Sequence, residues 1–142
     1  MLVKTVIEEL DEAECWHLID GAEVGRIGFT GRYGTVVLPV NYQVHDGSLV
    51  FRTGEHSPME EDLHTGIADA DYKVAFEIDD IDVAGRAGWS VLVQGAAHLV
   101  RDEAEQAELK SIGVNPWAGG VRDIFVRISP MRISGRRITH PR

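Results

Sequence analysis

The stretch that decides the fold is Thr35 to Ser57, which reads TVVLPVNYQV (35–44), HDG (45–47), SLVFRT (48–53) and GEHS (54–57). An Asp-Gly pair between two runs rich in β-branched residues, as at Asp46-Gly47, is typical of a β-hairpin turn. The second strand of this hairpin would end at Arg52 and Thr53, with Ser57 in the following loop. A guanidinium, two hydroxyls and free backbone N–H groups suit a bound phosphate. A surface arginine before a polar turn would give the same pattern.

Length and composition indicate one globular domain spanning residues 1–142. Hydrophobic residues make up 44% and charged residues 26% of the chain, and the net charge is −9. Because an acidic chain repels nucleic acid and anionic lipid, the sequence disfavours both as partners. The N-terminal residues MLVKTVIEELDEAE place acidic side chains where a signal peptide would be apolar, so we expect a cytoplasmic location.

Residues able to bind a metal are few and scattered. Cys15 is the single cysteine, and the six histidines (17, 45, 56, 64, 98 and 140) show no zinc-binding spacing. We therefore expect no metal centre and interpret Cys15 as a structural thiol on an amphipathic helix. No residue earns a catalytic assignment from the pattern; His56 is the nearest candidate, and we interpret it as a solvated loop histidine.

Three short helices are predicted, each beginning at a residue that can cap it. The first runs from Asp11 to about Asp20 and stops at Gly21, the second follows Ser57, and the third spans 102–113. Ser57 with its helix N-terminus would favour an anion, whereas the acidic residues Glu60, Glu61 and Asp62 would oppose one.

Seven strands are predicted, with short turns that favour antiparallel pairing. They lie at 23–30, 35–44, 48–53, 73–79 and 89–100, and in two pieces joined at Ser129-Pro130 within 123–138. Residues 79–88 read as a loop, and Gly95 marks a bulge or barrel corner. The predicted fold is therefore mainly β: a small antiparallel barrel with peripheral helices.

Several local patterns, taken in order, resemble one family. They are LPVNY (38–42), LVFRT (49–53), FEIDDID (76–82), GWSVLVQG (88–95), NPW (115–117) and VRISPMRISGRRI (126–138). Together they resemble the pyridoxamine 5′-phosphate oxidase-like flavoproteins, and among these the short bacterial branch that includes nitroimidazole-reductase-type proteins. The resemblance implies an antiparallel split β-barrel of the FMN-binding type. It also implies a homodimer with two FMN sites at the subunit interface, each built from both chains.

The resemblance also implies which residues contact the cofactor. The family's phosphate contacts at the strand end match Arg52 and Thr53, and its phosphate-loop hydroxyl matches Ser57. The strand that lies along the flavin ring matches Pro39, Val40 and Asn41. The start of the long strand that contributes to the site matches Trp89 and Ser90. A loop tryptophan near the ring pocket matches Trp117, which would serve equally well as a buried interface residue.

One residue departs from the family pattern. Relatives carry a lysine or arginine just after the position of Ser57, where this chain has Pro58. Loss of one charge-assisted contact costs roughly 1.5–3 kcal/mol. Three outcomes stay open: FMN binds weakly, a different cofactor is used, or the site is empty.

Three classes of function therefore stay open. The first is an FMN-dependent oxidoreductase acting on an unknown small molecule. The second is a non-catalytic flavin-binding or carrier protein. The third is a relative that uses deazaflavin or haem.

Overall fold

Strands make up most of the fold. The computed structural model describes residues 6–31, 33–54, 57, 60, 63, 72–113 and 124–140. Its regular elements are β1 (Val6–Leu10), α1 (Glu12–Asp20), β2 (Val24–Gly31), β3 (Gly34–His45), β4 (Ser48–Thr53), β5 (Tyr72–Asp82), β6 (Ala87–Leu99), α2 (Glu103–Ser111) and β7 (Ile124–Thr139).

Antiparallel pairing joins these strands into one sheet, in the order β1-β7-β4-β3-β2-β5-β6. Because β6 also pairs with β7, six strands from β7 round to β6 form a closed ring. β1 lies outside this ring and pairs with the last part of β7. The structure therefore confirms the predicted mainly-β fold, an antiparallel split β-barrel.

The last strand corrects one prediction. In place of two strands joined at Ser129-Pro130, the structure has one strand, β7, of 16 residues. Proline cannot donate a sheet hydrogen bond and is tolerated at bulges. Pro130 lies opposite Gly95, where the register of β6 and β7 shifts. The bulge predicted at Gly95 is confirmed, and it allows β7 to continue through Pro130.

Two further predictions about strands were wrong. Residues 79–88 are not a loop, because β5 continues to Asp82 and β6 begins at Ala87, with the turn confined to 83–86. β1 was not predicted, because four of its five residues are exposed and show no apolar alternation. Its backbone pairs with β7 from Val6↔Thr139 to Leu10↔Gly135. The predicted number of strands, seven, is correct only because the missed β1 offsets the division of β7 into two.

The helix caps follow the prediction. Asp11 caps α1 by accepting a hydrogen bond from the N–H of Glu14 at 2.8 Å. Asp102 caps α2 in the same way through Glu105, at 3.0 Å, although α2 is shorter than the predicted 102–113. The helix predicted after Ser57 lies mostly outside the described residues. Among the residues that are described, no helix is long and apolar enough to cross a membrane.

Alternate residues of each strand fill the barrel. The buried inward-facing side chains include Ile27, Phe29, Phe51, Phe76, Ile78, Val91, Val93, Val126 and Ile128. Cys15 and Ile19 of α1 join this core. α2 packs on the outside of the barrel, where Leu109 meets Val50 and Phe125. Among the described residues, neither helix packs on the outward side chains of β2, β5 and β6, which position the candidate site, whereas on β3 His45 reaches α2.

Close packing of β2 against Phe76 gives a testable prediction. A Cβ added at Gly25 would lie 2.1 Å from Cε1 of the fully buried Phe76 ring, whereas at Gly28 the nearest atom is 3.9 Å away. We expect Gly25→Ala to lower the free energy of unfolding by about 1–3 kcal/mol. Gly28→Ala, the matched control, should stay within about 0.5 kcal/mol of wild type. Urea denaturation measures both, and equal effects would contradict the packing.

Candidate functional site

The hairpin predicted at Asp46-Gly47 is confirmed and sets the position of the first candidate residues. Both turn residues have positive φ, 47° and 71°, as a two-residue turn of this kind requires. His45 pairs with Ser48, and the register continues to Tyr42 opposite Phe51. One step further along, Arg52 comes opposite Asn41, so β4 ends beside the middle of β3.

The structure brings the hydroxyls of Thr53 and Ser57 together. Thr53 Oγ1 donates to Ser57 Oγ at 2.8 Å, and Ser57 Oγ also accepts from the N–H of Glu60 at 3.2 Å. The second contact spans three residues, which is the geometry of a helix N-cap and agrees with the cap predicted at Ser57. Ser57 keeps its own O–H as a donor, so the pair can present one hydroxyl hydrogen to an anion.

Arg52 points to the opposite side of β4 from Thr53, because neighbouring residues on a strand face opposite ways. Its guanidinium carbon lies over the ring of Phe125, 5.0 Å from the centroid. A phosphate beyond the end of β4 would meet Arg52 from one side and the Ser57 hydroxyl from the other. The donor set therefore fits a phosphate in its chemistry, with one cation and one free hydroxyl among the described residues.

Pro39, Val40 and Asn41 alternate across β3. Val40 packs against the barrel core, while Pro39 and Asn41 face outward on the same side as Arg52. Asn41 Nδ2 donates to the carbonyl of Glu23 at 3.4 Å, which fixes the side chain along β2. A planar group lying on this strand would contact Pro39, Asn41 and the backbone between them.

Trp89 and Ser90 lie on β6, four strand spacings from Arg52 across β3, β2 and β5. Asn41 pairs with Val24 and Asp79 pairs with Ser90, so Arg52 and Ser90 are about 19 Å apart across the sheet at roughly 4.8 Å per strand. Trp89 packs against the core, whereas Ser90 faces outward. The predicted contacts are therefore spread across the outer face of the sheet. Trp117 and Pro58 lie outside the described residues.

An outward-facing cleft of about 580 Å³ surrounds Ser90. Its lining combines apolar, hydroxyl and charged groups from four strands: Glu9, Leu10, Glu77, Ser90, Val91, Leu92, Arg132, Ile133, Ser134, Gly135 and Arg136. A smaller cleft of about 340 Å³ adjoins it and shares Glu77. The volumes are within the range of about 300–1,000 Å³ that is usual for small-molecule sites.

Glu77 is a candidate that the sequence did not reveal. Its Oε1 lies 3.6 Å from a guanidinium nitrogen of Arg26, which also donates to Asp79 at 3.4 Å. Partial burial raises the pKa of Glu77 to about 7; a hydrogen bond to Asp79 and the charge of Asp79 act in the same direction, and Arg26 opposes them. Within FEIDDID this residue is one acid among several. Burial, the largest cause of the raised pKa, comes from the packing of neighbouring strands, and the sequence pattern does not reveal it.

A second group of titratable side chains lies at the hairpin turn. His45 Nε2 is 3.3 Å from Asp46 Oδ2 and 3.1 Å from Glu108 Oε1. The contact with Glu108 is a hydrogen bond that ties the hairpin turn to α2.

Cys15 is fully buried, as predicted for a structural thiol. Burial raises the pKa of the Cys15 thiol, and the nearby carboxylates of Asp11 and Glu14 raise it further. A thiol in this environment stays protonated and is a poor nucleophile.

Comparisons with known proteins identify the family. The family model described as pyridoxamine 5′-phosphate oxidase matches residues 11–137. An uncharacterized protein of Mycobacterium tuberculosis, Rv0080, is 35% identical over 132 residues, which cover 93% of this chain and 86% of the relative.

Two solved structures agree with this match. A Corynebacterium glutamicum protein that bears the name of the same oxidase is 27% identical, with a TM-score of 0.77 and 96% of each chain covered. The FAD binding protein from Mycobacterium smegmatis is 32% identical, with a TM-score of 0.67, 93% of this chain and 98% of that chain covered. The predicted resemblance is thereby confirmed, and the chain belongs to the pyridoxamine 5′-phosphate oxidase family.

Proposed function

We propose that this protein binds a flavin nucleotide and is a flavin-dependent oxidoreductase acting on a small molecule. The observation that carries the proposal is the end of β4. There, the Arg52 guanidinium and the Thr53–Ser57 hydroxyl pair flank the strand end, and Arg52 faces the same side as Pro39 and Asn41. A phosphate at the strand end and a ring along β3 would thus be contacted by one continuous surface. A bound flavin would supply the hydride chemistry, and the protein would supply position and electrostatics.

We propose further that the protein is a homodimer and that each site uses both chains. Support comes from apolar side chains exposed on the outer face of the sheet, among them Val37 and Met131, which are 62% and 58% exposed and which a second copy would cover. A cofactor held on this face would then contact residues of both chains. A two-fold axis would create two such sites, since each chain carries both halves.

FMN is the cofactor that the first set of contacts suits best, because its single phosphate matches a cradle with one cation. FAD is a second candidate. It is favoured by the likeness to the Mycobacterium smegmatis structure, which is named a FAD binding protein and is 32% identical over nearly the whole chain. The second phosphate of FAD would need a further positive group beyond Arg52.

The absorption spectrum of the purified protein tests the proposal. Bound oxidised flavin gives bands near roughly 370 and 450 nm, and release of the nucleotide followed by mass measurement separates FMN from FAD. Bleaching by NADH or NADPH would support an oxidoreductase over a carrier. A Soret band would identify haem. A colourless protein that ignores FMN and FAD but binds deazaflavin would contradict the proposed cofactor.

Substitution of Arg52 gives a second prediction. Arg52→Ala removes the cation at the end of β4, and we expect flavin affinity to fall about ten- to hundredfold, the effect of losing one charge-assisted hydrogen bond. Arg101→Ala is the matched control, since Arg101 is exposed in the segment before α2. Fluorescence titration of the apoprotein measures both. Equal affinities for the two variants would show that the phosphate lies elsewhere.

A further inference from the structure

The large outer cleft is suited to a ligand that is partly apolar and partly anionic. Leu92 and Ile133 give it an apolar lining, and Ser90 and Ser134 add hydroxyl groups. Arg132 and Arg136 line the same cleft from β7. Neither arginine forms an ion pair with any other residue in the described part of the chain, so their charges are available to a ligand.

The cleft also adjoins the strand proposed to lie along the flavin ring. Pro39 pairs with Arg26, Arg26 with Glu77, Glu77 with Leu92, and Leu92 with Ser134. These five residues form one row across five strands. Strands lie about 4.8 Å apart, which places the backbone of Glu77 about 10 Å from that of Pro39. A ligand in the cleft would thus be a close neighbour of a planar group on β3.

Glu77 is the residue that connects the two regions, since it lines both clefts. Its Oε1 is buried and has no hydrogen-bond partner among the described residues, and its ion pair with Arg26 is long at 3.6 Å. A buried carboxylate oxygen without a donor is unfavourable. A proton on Glu77 removes that charge and provides an O–H that can bond to Asp79 or turn to a ligand in the cleft.

We propose that this cleft binds the small-molecule substrate, an organic molecule with an apolar body and one anionic group. Arg132 and Arg136 bind the anionic group, and Glu77 donates a hydrogen bond to the ligand as a neutral carboxyl. The proposal rests on the proposed function only in calling the ligand a substrate. The binding site itself is defined by residues of this chain.

The charges around the cleft support an anion. Arg132 and Arg136 face Glu9 and Glu77 within it, so the cleft is neutral when Glu77 is ionised and carries one positive charge when Glu77 is protonated. The other charged groups on this face are Arg26 on β2 and Lys73 and Asp79 on β5; β6 contributes none there. Because the pKa of Glu77 is raised to about 7, the change falls near neutral pH.

A matched pair of probes tests the site, 4-fluorobenzoate and its neutral isostere 4-fluorobenzamide, followed by fluorine NMR titration. We expect the benzoate to bind more tightly than the benzamide at pH 6. Its dissociation constant should rise about tenfold between pH 6 and pH 8, as expected for binding that needs one proton on a group with a pKa near 7. Equal affinity for the two probes, or no binding of either, would overturn the proposal.

Three variants assign the effect to residues. Arg132→Gln and Arg136→Gln should each weaken benzoate binding several-fold without affecting the benzamide, while Arg101→Gln should change neither. Glu77→Gln keeps a hydrogen-bond donor but cannot ionise, so benzoate affinity should become the same at pH 6 and pH 8. A Glu77→Gln protein that keeps the tenfold change would refute the role of Glu77.

The titration needs no flavin, so it separates this proposal from the proposed function. If the protein binds benzoate but no flavin, the proposed cleft site is supported and the proposed oxidoreductase function is contradicted. If it binds flavin but shows no preference for benzoate over benzamide, the proposed function is supported and the cleft site is contradicted.

The same carboxyl predicts a pH dependence of stability. Because folding raises the pKa of Glu77 from about 4.5 to about 7, its contribution to stability is fully present below pH 4.5 and is lost as the pH rises through 7. Relative to wild type, Glu77→Gln should therefore gain stability between pH 5 and pH 8. Urea unfolding at the two pH values measures the difference, and a constant difference would contradict the raised pKa.

Discussion

The backbone pairing of β7 is the constraint on which the rest of the structure depends. One edge of this strand is shared by β4, along its first residues, and β1, along its last. The other edge pairs with β6 along nearly its whole length. A single strand thus closes the barrel and holds the N-terminal strand. It also fixes Arg52 near one end and Ser90 near the other, so the geometry of any shared cofactor site follows from this pairing.

The positions of the positively charged side chains limit where an anionic ligand can bind. The chain carries a net charge of −9, so an anionic ligand is attracted only where cations are concentrated locally. On the outer face, Arg26 is held by Glu77 and Asp79, and these carboxyl groups reduce its attraction for a ligand. We therefore place the proposed anion sites at Arg52 and at Arg132 and Arg136.

Local patterns allowed much of the fold to be predicted. The Asp46-Gly47 turn, the bulge at Gly95 and the caps at Asp11 and Asp102 each depend on a few neighbouring residues, and all are confirmed. β1 and the continuity of β7 through Pro130 depend on strands distant in sequence, and so they were missed. The residues of the candidate site also differ in whether their environment depends on nearby or distant parts of the sequence. The Thr53–Ser57 contact spans four residues and was foreseeable, whereas the pKa of Glu77 is raised chiefly by burial, which depends on strands distant in sequence.

Subunit complementation tests most directly the proposal that each cofactor site combines Arg52 of one chain with Ser90 of the other. Arg52→Ala would disable one half of the site, and Ser90→Trp would block the other half. Each variant alone should bind little flavin. The two chains, co-expressed with different tags and isolated as a heterodimer, would contain one intact site, so we predict about one tightly bound flavin per dimer. A heterodimer that binds as little flavin as either variant alone, or the absence of any heterodimer, would contradict the account.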